Sequence, residues 1–101
     1  MATNKLKVML SFMREVNDGN IPDAADYGLE DWEYWDIIEA CQDEGLIKDA
    51  VFAKADGFDH PLKAVLSGTK LTVKGMEYLD AHSPAMKAYK GIKELRDWLP
   101  F

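Results

Sequence analysis

The apolar residues of this chain change their period twice. Between residues 4 and 18 they recur at helical spacing, as Leu6, Met9, Leu10, Met13 and Val16, with Val8 and Phe12 widening the stripe. Between 30 and 44, where no glycine or proline intervenes, Tyr34, Ile37, Ile38 and Cys41 fall at i, i+3, i+4 and i+7, one core-facing helical stripe. After Gly45 the pattern becomes that of a strand. Residues 46–53 carry β-branched and aromatic side chains, 55–61 form a turn cluster, and 62–66 alternate apolar and polar as a returning strand. Past Ser67-Gly68 the helical period resumes, with Leu71 as the apolar entry residue, Thr72 as N-cap and Val73, Met76 and Leu79 on one face, to about His82. Ser83-Pro84 then opens a further helix with a stripe of Ala85, Ala88, Tyr89, Ile92, Leu95 and Leu99. One hairpin among helices is therefore the β-structure to expect.

Between the first two long helices stands Asn20-Ile21-Pro22-Asp23, whose proline bars a helix interior. A short helix over about 23–27, closed by Gly28, fits the space that remains. Helix, short helix, helix, hairpin, helix is the order of a winged helix-turn-helix. The expected fold is thus mainly α (α+β): a three-helix core, a two-stranded wing over about 46–66 and additional C-terminal helices. At 101 residues and 48% hydrophobic composition, with no internal repeat or linker, residues 1–101 make a single winged-helix domain.

Four blocks carry a family resemblance: Gly19-Asn20-Ile21-Pro22, Gln42-Asp43-Glu44-Gly45-Leu46-Ile47, Leu71-Thr72-Val73-Lys74-Gly75-Met76-Glu77-Tyr78-Leu79, and the run from Lys87-Ala88-Tyr89-Lys90 to Asp97-Trp98. Together they resemble the YjcQ-like family of small winged-helix proteins over nearly the whole chain. The third block is common to many winged helices, and the C-terminal one is more particular. The resemblance implies a fold and a bacterial or prophage setting, and it brings no catalytic or binding residues with it. It also marks a departure, since the family tends to place small or polar residues where this chain has Trp32 and Trp35.

Charge weighs against insertion of the third helix into DNA. Residues 30–44 hold Glu30, Asp31, Glu33, Asp36, Glu39, Asp43 and Glu44, seven acids with no base, and phosphates would repel them. The whole chain has a formal charge of -6, but unevenly divided. Residues 1–44 carry three bases and eleven acids, net -8, and residues 45–101 carry nine bases and seven acids, net +2. Contact with DNA through the wing and the last helix, by Lys48, Lys54, Lys63, Lys87, Lys90, Lys93 and Arg96, is therefore an alternative beside the plainer reading of solvated lysines.

Trp32 and Trp35 lie about 100° or more from the centre of the apolar stripe, at about 100° per residue. Exposed together among Asp36 and Glu39, they describe an interface for a second copy or for another protein. Alternatively Trp35 turns inward and Trp32 alone remains outside.

Chemistry finds little to work with. Cys41 falls mid-stripe, where a cysteine behaves as a small hydrophobe, and His60 and His82 stand apart from it in sequence. No phosphate-binding glycine loop, cofactor motif or metal-ligand spacing is present. A single cysteine, the absence of a long apolar run and the start MATNKLK lead us to expect a reduced, soluble, cytoplasmic protein. The sequence thus points to a non-enzymatic interaction module, self-associating or binding another protein through the acidic third helix, with a small DNA-binding regulator as the alternative.

Overall fold

The computed structural model describes residues 5–54, 57 and 61–82. Within them the chain forms α1 (Lys5–Asn17), a 3₁₀ turn (Ala24–Tyr27), α2 (Asp31–Asp43), four short strands, β1 (Ile47–Lys48), β2 (Val51–Ala53), β3 (Lys63–Val65) and β4 (Lys70–Leu71), and α3 (Val73–Ala81). It is a mixed α/β arrangement of three helices and two small antiparallel strand pairs. The helix expected beyond Ser83 lies outside the described residues.

α1 is the central element, packed against α2, β4 and α3. It has neighbours on more than one side, so Val8, Leu10, Ser11, Phe12, Met13 and Val16 are all buried. The core surrounds the helix from Val8 to Val16 and leaves the first turn at its rim, where Leu6 is 44% exposed, against the stripe expected from spacing. In α2 the expected stripe of Tyr34, Ile37, Ile38 and Cys41 is buried. Phe12, Tyr27 and Tyr34 meet in the core, with Tyr34 5.7 Å from Tyr27 and 6.0 Å from Phe12 between ring centres. The two tyrosine hydroxyls are satisfied within the protein: Tyr27 shares a 2.9 Å hydrogen bond with Ser11, and Tyr34 donates to the Pro22 carbonyl. The second bond ties α2 to the segment whose proline halted the chain after α1. The 3₁₀ turn starts one residue later than the expected helix, with Asp23 at its N-cap, and Gly28 closes it at φ 69°, as the sequence suggested.

The hairpin departs from the expected pair of continuous strands. β1 pairs with β4 (Ile47 opposite Leu71), and β2 with β3 (Val51 opposite Val65). Two residues separate β1 from β2 on the outgoing side, whereas four separate β3 from β4 on the return, so the ladder breaks between the two pairs. Asp49 turns left-handed there at φ 67°. Gln42 holds the break, its Nε2 donating to the Ala50 carbonyl and its Oε1 accepting from the Ala50 N–H, both at 2.9 Å. A helix side chain thus takes the backbone bonds that a strand partner would have made.

α3 also sits differently. The expected face of Val73, Met76 and Leu79 gives way to one of Gly75, Tyr78 and Leu79, leaving Val73 70% and Met76 50% exposed. The cause is backbone contact: a Cβ on Gly75 would stand 2.1 Å from the Leu46 carbonyl oxygen, so only glycine fits and the helix is rotated to present it. Thr72 fixes that docking. It accepts from the Gly75 N–H at 2.9 Å as the N-cap, and its own hydroxyl lies 2.6 Å from the Gly45 carbonyl and 3.0 Å from that of Leu46.

Candidate functional site: a tryptophan groove between helix and hairpin

The site begins at the N-terminus of α2. Glu30 is extended, and its N–H donates to the Glu33 carboxylate at 3.2 Å, which starts the helix at Asp31. That start aims Tyr34 inward. At about 100° per residue, Trp35 then falls on the border of the buried face and Trp32 close to its opposite side. Their exposures follow: Trp35 is half-buried and packs on the core cluster, and Trp32 is 48% exposed. Of the two arrangements open from spacing, the structure adopts the one with Trp35 turned in.

Asp31, Trp35, Glu39 and Gln42 follow one another along one edge of α2, at i, i+4, i+8 and i+11. The hairpin lies along that edge. At the base Gln42 holds Ala50; in the middle Glu39 receives Lys54 at 2.7 Å; at the N-terminal end Trp32 and Trp35 face Pro61 and Leu62 across a groove of about 370 Å³. Glu30 and Asp31 complete its lining. Leu62 is 49% exposed and Pro61 is buried, so a firm apolar wall opposes the indoles.

The site residues expected from sequence therefore part company. Trp32 and Trp35 come together in the groove, with Asp36 half-buried one turn further along α2. Glu39, expected at a protein interface, and Lys54, expected at a nucleic-acid contact, form an ion pair with each other. The hydrogen bond that the Lys54 ammonium donates to the Glu39 carboxylate raises the Lys54 pKa against a desolvation that lowers it, and the charges of Glu39, Asp43 and Asp36 add to the rise. Lys63 is exposed on β3, opposite Ala53. Lys87, Lys90 and Lys93 lie outside the described residues. Spacing missed Pro61 and Leu62, which it read as the end of a turn and the start of a strand, and it missed Gln42, whose one signal is its place three residues beyond Glu39.

Elsewhere among the described residues, Cys41 and His82 are built into the fold. Burial pushes the Cys41 thiol up from 9.0 to about 12, which keeps it protonated and unreactive at neutral pH. The His82 ring stacks on Tyr78 at 4.1 Å, and its Nδ1 lies 2.8 Å from the Tyr78 carbonyl, at the end of α3. Among the described residues no three His, Cys, Asp or Glu gather in a way that could hold a metal ion, and no helix is long and apolar enough to cross a membrane.

Comparison with known proteins places these features in a family. The family profile described as YjcQ protein matches residues 5–98. A curated relative, "Uncharacterized protein YjcQ" of Bacillus subtilis (strain 168), is 33% identical over 97 residues, covering 95% of this chain and 98% of the relative. No solved structure matches.

Proposed function

This chain belongs to the YjcQ family, and from that premise we propose that it is a non-enzymatic interaction module of the winged-helix type, with the β2–β3 ribbon as its wing. It binds another protein, or a second copy of itself, through the acidic flank of α2. One observation carries this reading: an indole that is nearly half exposed stands at a groove walled by Trp35, Pro61 and Leu62 beside two carboxylates. Aromatic anchors inside a charged rim are the anatomy of a binding surface.

The Lys54–Glu39 pair weighs against the DNA reading. One of the basic residues of the wing that it relies on is paired with a carboxylate of α2, and α2 keeps its excess of acids.

Stability and association separate an anchor from a packing residue. Trp32→Ser is expected to change unfolding stability by no more than about 0.5 kcal/mol, as for an exposed position, whereas Trp35→Ser costs about 2 kcal/mol through lost core contact. Thermal melts and light scattering over a range of protein and salt concentration test this. An assembly that persists in high salt and disappears in Trp32→Ser supports the reading. A large loss of stability in Trp32→Ser makes that residue part of the core and removes it.

A further inference from the structure

The walls of the groove and its rim differ in chemistry. Trp32, Trp35, Pro61 and Leu62 supply apolar and aromatic surface, while Glu30 and Asp31 supply carboxylates, and no cationic side chain is among the lining residues described. The nearby lysine of the hairpin does not compensate, because Lys54 is bound to Glu39 at 2.7 Å. The charge at the groove is thus set by Glu30 and Asp31, beside the negative face of an indole that is 48% exposed.

From this complementarity we infer that the groove takes an arginine-bearing segment of a partner protein. The guanidinium lies on the Trp32 face and pairs with Asp31 or Glu30, and an apolar neighbour in the segment fills the space against Leu62 and Pro61. Arginine suits the site better than lysine, since its planar, weakly hydrated head stacks on an aromatic ring and bonds a carboxylate in the same pose. A second copy suits it less well. In a two-fold dimer the same patch meets itself, which would set the acids of one α2 against those of the other. Phosphate-bearing ligands are repelled by the same rim. The inference rests on the interaction reading above and narrows it to one class of occupant.

The test follows the indole N–H signals of Trp32 and Trp35 in ¹H–¹⁵N spectra of the labelled full chain, assigned with Trp→Phe variants. The probes are short capped peptides alternating arginine with leucine, lysine with leucine, and glutamate with leucine. The arginine peptide is expected to shift both indole signals and to bind more tightly than the lysine one. In the doubly substituted Glu30→Gln, Asp31→Asn chain, whose dispersed spectrum verifies folding, its affinity falls by about tenfold, the loss expected when a charge pair of this kind is removed. Equal binding of the glutamate peptide, or an affinity unchanged in that variant, overturns the arginine assignment while leaving the groove a binding surface. Silence of both indoles with every peptide overturns it too. If the arginine peptide binds at full strength to Trp32→Ser, the groove itself is the wrong surface, and the interaction reading falls with the inference.

Discussion

Gly75 shows how one residue sets the pose of an element. In a solvent-facing helix, Gly→Ala gains up to about 1 kcal/mol of helix propensity. Here the added methyl would meet the Leu46 carbonyl oxygen at 2.1 Å and the Leu71 side chain at 2.9 Å. A rigid backbone oxygen cannot swing aside, so the clash outweighs the propensity gain. Gly75→Ala is expected to lower stability by at least about 2 kcal/mol net, seen as a drop in the urea midpoint at unchanged slope. A stabilised variant would show that α3 does not dock on Leu46. Trp32 makes the complementary point, because its environment is read from which way the neighbouring Tyr34 faces.

At the scale of elements, the contact that matters is α2 against the hairpin. Strand propensity in 46–53 is high, yet the ladder breaks after Lys48 because Gln42 captures both backbone groups of the buried Ala50. This clamp and the Glu39–Lys54 pair are the polar contacts along the α2 edge that also carries Trp35. Replacing Gln42 by Leu keeps bulk but strands a buried N–H and C=O. Stability should fall by about 2 kcal/mol, and hydrogen exchange at Ala50 and in β2 should accelerate well beyond that in α1. Exchange that rises uniformly over the chain would mean that the clamp supports the whole fold and not the hairpin in particular.

For the molecule as a whole, charge is the deciding quantity. Residues 1–44 are net -8 and residues 45–101 net +2, so the acidic half contains α2 and the basic half contains the hairpin. The fold then lays part of that basic half on the acidic helix, through Lys54. Under the proposed function, fluorescence anisotropy with duplex DNA should show no saturable binding even at low salt. Binding that weakens with salt at a slope of about -0.9 for each phosphate contacted, and that Lys87→Gln, Lys90→Gln and Lys93→Gln together reduce, would restore the DNA reading.

What the sequence determined by itself is whatever depends on local period and on a few stop signals. The α2 stripe, the helix ends at Gly19 and Gly45, the Thr72 cap and the Gly28 closure all follow from neighbours within a turn or two, and the structure has them. The four residue blocks also carried the family. Other features needed contacts far apart in the chain. Whether Val73 or Gly75 faces inward depends on the Leu46 carbonyl, almost thirty residues away, and the break at Asp49 depends on Gln42. The partner of Lys54 depends on where the hairpin lies. The groove belongs to this second class. Its tryptophans could be named from spacing, but its opposite wall, Pro61 and Leu62, exists only because the return of the hairpin is packed beside α2. Period dictates which side of an element is apolar; only packing decides what that side meets.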